Sequence, residues 1–215
     1  RIGSVGKPAP GTEVKIASDG EILIRGPQVM KGYYNKPEAT ASVIDTEGWF
    51  ATGDIGHIDG EGFLYITDRK KDLIVTGGGK NIAPQPIENR LKTNMFVEQA
   101  VIIGDRRPYL VLLIVPAVEP LQQWASQNGV EWSSFEELVS NQEVLSHLER
   151  ETLGELSDLA SFETPKKIAL LSEELSIENG MLTPTLKVKR SLVEERFEGV
   201  IEQLYTGAVA DKTAS

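Results

Sequence analysis

The chain has 215 residues, 40% of them apolar and 25% charged, with a net charge of −10 and no cysteine. That length suits one large or two small globular domains. The acidic balance argues against a general nucleic-acid surface, and the lack of cysteine excludes disulfides, thiolate metal sites and a cysteine nucleophile. No apolar run reaches the roughly 18 residues of a membrane helix. The longest, Tyr109 to Val115, reads as a buried strand. The two histidines, His57 and His147, lie far apart, and each reads as an ordinary surface or partly buried residue.

Residues 1 to 66 read as short antiparallel strands and turns. Glu13-Val14-Lys15-Ile16 alternates, Ser18-Asp19-Gly20 supplies a turn, and Glu21 to Arg25 alternates again before Gly26-Pro27. Pro37 suits the first turn of a short helix over Lys36 to Thr40. Trp49-Phe50 and Ile55 to Ile58 flank a Thr52-Gly53-Asp54 turn, and Asp59 to Gly62 is a turn before the strand Phe63 to Ile66. From residue 72 the pattern becomes α+β. Leu73 to Val75 is a strand entering Gly77-Gly78-Gly79, and Pro84 to Leu91 is a helix with prolines in its first turn. Val97 to Ile103 and Tyr109 to Val115 are strands of a hairpin joined by residues 104 to 108. Residues 118 to 160 are helical, with Leu121, Trp124 and Ala125 on one face and Val144, Leu145, Leu148 and Leu156 on another. Lys166 to Leu171 is a strand, Ser191 to Tyr205 a closing amphipathic helix, and the tail from Gly207 reads as disordered. The change of pattern puts the domain boundary within residues 68 to 72.

Three places carry chemistry. Thr52-Gly53-Asp54 is followed by Asp68-Arg69-Lys70-Lys71-Asp72. A carboxylate such as Asp54 can accept hydrogen bonds from two adjacent hydroxyls, and the fork of Arg69 can donate to them, which suits a ribose. Gly77-Gly78-Gly79 is either a flexible turn or a place where backbone approaches a ligand. It is not a phosphate-binding P-loop, because Ile74 and Asn81 stand where that pattern needs Gly and Ser or Thr. Leu182 to Arg190 sets Lys187, Lys189 and Arg190 within four residues. This is either a solvated basic stretch or an extended, exposed loop that delivers one ammonium to a phosphate and a carboxylate; Pro184 favours a loop.

Four stretches occur in one order: Gly20 to Gly26 with Gly32-Tyr33-Tyr34 and Pro37 to Thr40; Trp49 to Asp54; Asp68 to Asp72 with Gly77 to Pro84; and Thr185 to Arg190. Together they resemble the C-terminal part of an AMP-forming adenylating enzyme, the group of acyl-CoA synthetases, luciferases and peptide-synthetase adenylation domains. The run Lys71 to Glu88, the ending Leu182 to Lys187 and the insertion between Pro116 and Pro165 resemble bacterial long-chain fatty acyl-CoA synthetases. Leu186 stands where the common family ending has glycine, which fits that branch.

The resemblance implies an α+β fold: residues 1–69 as the end of a large-domain β-barrel subdomain, 70–206 as a small mobile C-terminal domain, and 207–215 as the tail. It implies an ATP-dependent ligase that activates a long-chain fatty acid to acyl-adenylate and transfers it to coenzyme A. Asp54 and Arg69 are expected at the ribose of ATP or AMP. Lys187 is expected as the catalytic cation of the first half-reaction, preferred over Lys189 because Arg190 then keeps the family's spacing of three. Lys71 matches the hinge. Gly77, Gly78, Gly79 and Lys80 are expected on the thiol side, where small residues leave room for a narrow pantetheine arm. The phosphate-binding loop, the adenine and Mg2+ site and the acyl tunnel precede residue 1 in the family, so the chain is expected to be a fragment, inactive alone. Its expected partners are fatty acid, ATP, CoA and the rest of the large adenylation domain, with no nucleic acid. A cytoplasmic location with peripheral membrane contact would suit a long-chain product. Alternatives are acyl carrier protein as acceptor in place of CoA, or an interaction module without chemistry.

Overall fold

A computed structural model describes residues 1–210, with side chains described through Thr206. The chain divides into two units, Arg1–Leu73 and Ile74–Ser215.

In the first unit, β1 (Glu13–Ile16), β2 (Glu21–Arg25), β3 (Phe50–Ile58) and β4 (Leu64–Arg69) form an antiparallel sheet in sequence order. A short helix, α1 (Pro37–Ala41), sits in the long β2–β3 connection. Its apolar interior is small, with Ile22, Trp49 and Ile55 buried. Cations supplement it: the Lys15 ammonium lies 4.0 Å and the Arg25 guanidinium 4.5 Å from the Trp49 ring centroid. The expected Thr52-Gly53-Asp54 turn is not a turn. β3 runs through it, and the extra residues form a bulge, with Glu21 paired to Ile55 and Leu23 to Ala51. A glycine at the bulge suggests a turn in sequence, but here the strand only kinks. A second irregularity follows at once between β3 and β4, where Ile55 pairs with Asp68 and Gly56 with Ile66. Gly56 is required there, because a Cβ would fall 2.1 Å from the Tyr65 carbonyl oxygen.

In the second unit, β5 (Ile74–Val75) and β6 (Asn81–Ile82) form a small hairpin leading into α2 (Pro84–Leu91). The main sheet has β7 (Val97–Ile103) antiparallel to β8 (Val111–Pro116), and β9 (Lys167–Leu170) parallel to β8. Every residue of β8 is buried, as a central strand covered on both faces demands. Period-two alternation sorts the side chains between two cores. Ala100, Ile102, Leu112 and Ile114 face one with Ile87 and Leu91; Val101, Ile103, Leu113 and Val115 face the other with Val193, Phe197 and Ile201.

Residues 118 to 160 form three helices, α3 (Val118–Gln127), α4 (Phe135–Val139) and α5 (Gln142–Glu155). Leu121, Ala125, Val144, Leu148 and Leu156 of this segment are buried against the first core. Ser134 and Asn141 cap α4 and α5 by accepting from main-chain N–H groups. The expected closing helix is two, α6 (Arg190–Arg196) and α7 (Glu198–Ala210). The break falls at Phe197, which leaves helical geometry at φ −112° and ψ 22° while its ring is buried in the second core. Of the expected tail, residues 207–210 belong to α7, and 211–215 lie outside the described residues.

Candidate active-site elements

In the first unit the bulge of β3 aims Asp54. Thr52 Oγ1 donates to the Ile22 carbonyl at 2.8 Å and accepts from the Asp54 N–H at 3.1 Å, while the Gly53 N–H donates to Glu21 Oε1 at 2.9 Å. Asp54 pairs in register with Arg69 on β4, and Arg69 Nε lies 2.8 Å from Asp54 Oδ1. Half of the Arg69 side chain is exposed. Among the described residues its two terminal nitrogens donate to nothing. Such an exposed pair adds at most about 1 kcal/mol to stability, so its geometry suits recognition better than support.

Glu21, 7% exposed, also accepts from Lys70 Nζ at 2.7 Å, and Lys70 reaches Asp19 at 2.7 Å as well. The Asp19 and Glu21 carboxylates hold the Lys70 ammonium above the usual lysine range, and Lys70 holds the Asp19 carboxyl below its usual range. Lys70 is thereby fixed to the first unit. Lys71, next in the short turn Lys70–Asp72, is exposed and forms no ion pair among the described residues.

In the second unit Gly77 to Gly79 turn the β5–β6 hairpin. The Gly79 N–H donates to the Thr76 carbonyl at 2.8 Å, and the Gly77 N–H to the Arg107 carbonyl at 2.8 Å. Of the three glycine amides, that of Gly78 alone makes no hydrogen bond among the described residues. The turn therefore offers a ligand little of its main chain. Lys80 is exposed, with its ammonium 5.2 Å from the Phe162 ring centroid.

Lys187 is not on the extended loop that Pro184 suggested but on a tight hairpin. Leu182 bridges Val188, the Thr183 N–H donates to the Lys187 carbonyl at 2.8 Å, and the Leu186 N–H closes the turn on the Thr183 carbonyl at 2.8 Å. Pro184 occupies the second position of that turn, where its fixed φ fits. Leu186 follows at φ +58°, the left-handed conformation that glycine adopts at least cost. The Lys187 N–H is held by Thr183 Oγ1 at 3.0 Å. Its main chain is thus fixed on both sides, while its exposed side chain has no ion-pair partner among the described residues. Lys189 is likewise exposed. Arg190 is not: it donates to Glu88 at 2.7 Å and to the Ile102 carbonyl at 2.6 Å. No three His, Asp or Glu side chains among the described residues come together to hold a metal ion.

Sequence reasoning missed Glu21 and Glu88. Glu88 was legible in principle: Pro84, Ile87 and Leu91 trace the buried face of α2, and Glu88 falls on that face. A carboxylate there demands a cation.

Residues 71–175 match the family model of the AMP-binding enzyme C-terminal domain. The chain is 39% identical over 206 residues to the long-chain-fatty-acid–CoA ligase FadD15 of Mycobacterium tuberculosis, covering 95% of this chain and 34% of that protein. It is 38% identical over 220 residues to human long-chain-fatty-acid–CoA ligase 6, covering 95% of this chain and 31% of that one. The chain thus spans about a third of the length of the curated relatives it matches. Among solved structures, it resembles the o-succinylbenzoate coenzyme A synthetase of Bacillus subtilis in complex with AMP, with TM-score 0.55 and 29% identity over 89% of this chain and 35% of that one. The A domain of the carboxylic acid reductase of Segniliparus rugosus shares the fold, with TM-score 0.67 and 24% identity over 94% of this chain and 32% of that one. Over residues 71–175 the chain is thus similar to the C-terminal domain of AMP-binding enzymes.

Proposed function

We propose that this chain, working with the further length that such ligases have, supplies the ribose contacts and the catalytic cation of an ATP-dependent long-chain fatty acid–CoA ligase. In the first half-reaction a fatty-acid carboxylate oxygen attacks the α-phosphorus of ATP. The bond to the bridging oxygen breaks, and its electron pair leaves with pyrophosphate. In the second, the coenzyme A sulfur, having lost its proton, attacks the acyl carbon, and AMP leaves with the carboxylate oxygen.

Asp54 accepts from the two ribose hydroxyls and Arg69 donates to them. Lys187 lies between the α-phosphate and the attacking carboxylate, offsetting their repulsion and the charge that builds in the transition state. Lys71 is the hinge about which the second unit turns between half-reactions; the anchoring of Lys70 beside it supports that reading. Gly78 and its neighbours then border the path of the thiol, with Lys80 at its edge. The chemistry assigned to these residues needs no metal ligand from the chain, and Mg2+ would be held by residues outside it. Peripheral contact with a membrane belongs to the same proposal, its support being the insolubility of a long-chain acid; no helix among the described residues is long and apolar enough to cross one.

One observation carries the reading. Of the three clustered cations, Lys187 alone sits at a fixed hairpin tip with a free ammonium, while Arg190 is consumed internally. Palmitate-dependent ATP–pyrophosphate exchange by the ligase containing this chain, with and without Lys187, tests it.

A further inference from the structure

Arg190 stands three residues after Lys187, at the first position of α6. One of its terminal nitrogens donates both to Glu88 Oε1 at 2.7 Å and to the Ile102 carbonyl at 2.6 Å. Glu88 Oε1 also accepts from the Ile102 N–H at 2.8 Å. Ile102 lies on β7, an edge of the three-stranded sheet, so these two side chains satisfy main-chain groups that no neighbouring strand reaches. The ion pair is well buried, with side chains 6% exposed for Glu88 and 19% for Arg190.

A buried ion pair is a poor source of net stability, because desolvating both charges offsets their attraction. What it does supply is a fixed geometry. Glu88 is on α2, the helix that follows the Gly77–Gly79 hairpin; Arg190 is the root of the Lys187 hairpin. Above that root the hairpin is short and closed. The Lys189 N–H donates to the Met181 carbonyl at 2.8 Å, Leu182 bridges Val188, and the tip is tied by Thr183. Met181 and Leu182 are buried in the second core. A rigid hairpin on a pinned root transmits the position of the root to its tip, and a displaced root displaces the tip ammonium.

We propose that Glu88 and Arg190 are positioning residues for Lys187, aiming its ammonium from below without touching substrate. This rests on the reading of Lys187 as the cation of the first half-reaction. A misplacement of order 1 Å can cost about 100-fold in rate, so loss of the clamp is expected to act on kcat and not on KM.

The test uses the ligase containing this chain and four variants: Lys187→Ala, Arg190→Leu, Glu88→Gln and the double variant Glu88→Leu with Arg190→Leu. The double variant removes both charges together, so no lone charge is left buried, and its urea midpoint reads what loss of the Ile102 contacts costs. Expected is a fall of about 10- to 100-fold in kcat for ATP–pyrophosphate exchange in Arg190→Leu and the double variant. KM for ATP and fatty acid should be unchanged, and thioester formation from pre-made acyl-adenylate should stay within about twofold. Glu88→Gln keeps an acceptor oxygen for both donors and should fall between these and wild type. Exchange at the wild-type kcat in the folded double variant would overturn the clamp, as would an equal loss of both half-reactions tracking a lowered urea midpoint. Unchanged exchange in Lys187→Ala would instead remove the reading of Lys187, so the two failures are distinguishable.

Discussion

Asp54 and Arg69 face each other across β3 and β4, with 2.8 Å between Arg69 Nε and Asp54 Oδ1, where Asp54 lies in the β2–β3 bulge and beside the β3–β4 irregularity. The irregularities place a carboxylate and a guanidinium side by side at the sheet surface with donor and acceptor capacity to spare. Replacing Asp54 with alanine should cost little stability, about 0–1 kcal/mol for an exposed pair. It should weaken ATP binding, because hydrogen bonds to a charged group contribute about 1.5–3 kcal/mol each. A rise in KM for ATP of about tenfold or more is expected in the proposed ligase containing the chain, with the urea midpoint of the first unit unmoved. An unchanged KM would place the ribose elsewhere.

Gly78 and Gly79 should behave differently although adjacent. Gly79 has φ +75°, so Gly79→Ala strains the turn and should cost about 1–2 kcal/mol in chemical denaturation. A Cβ at Gly78 would meet no atom nearer than 4.0 Å, and its φ is ordinary, so a side chain there should leave folding intact. Gly78→Leu therefore tests the thiol path cleanly. Thioester formation should drop by about tenfold, the scale of roughly 1–3 kcal/mol for overfilling a fitted space, while acyl-adenylate formation persists. Equal rates of both would move the thiol path away from this turn.

Leu186 is an exposed side chain held at φ +58°. Glycine relieves the backbone strain and gives back part of it as unfolded-state entropy, so Leu186→Gly should stabilise the second unit by about 0.5–1 kcal/mol. Leu186→Val, β-branched at a positive φ, should destabilise it. Urea unfolding monitored by circular dichroism reads both; destabilisation by glycine would show that the leucine side chain is packed.

His147 is buried between Trp124, stacked at 4.1 Å between ring centroids, and the edge of Phe96 at 4.9 Å. Burial, with the Arg150 charge beside it, holds the imidazole below the usual histidine range, and Glu151 opposes this only in part. The folded state then binds the proton less readily than the unfolded chain. Stability is present above the unfolded-state value of about 6.5 and is lost as pH falls towards the folded-state value. The urea midpoint of the second unit should fall as pH is lowered below about 6.5, and His147→Gln should flatten that dependence. An identical slope in the variant would assign the effect to carboxylates.

Local patterns made much of this legible in the sequence. β1, β2, α2 and β7 occupy the spans that alternation, helical period and proline placement assign. β8 announces itself because a strand buried on both faces is a continuous apolar run. What escaped depends on partners distant in sequence. Whether Gly53 makes a turn or a bulge is decided by strands β2 and β4 on either side. The break at Phe197 is decided by where its ring finds the core. Among three adjacent cations, only the approach of Glu88, 102 positions away, shows that Arg190 is spent internally. The hairpin under Lys187 was hidden for another reason: Leu186 occupies a backbone conformation that its residue type does not advertise.

The most direct test is palmitate-dependent ATP–pyrophosphate exchange by the proposed ligase containing this chain, wild type against Lys187→Ala, with thioester formation from pre-made acyl-adenylate measured in parallel. The account predicts exchange lowered by about 10²–10³ and thioester formation retained. Exchange at the wild-type rate in the variant would contradict it, and a wild-type enzyme with no palmitate-dependent exchange would remove the fatty-acid substrate.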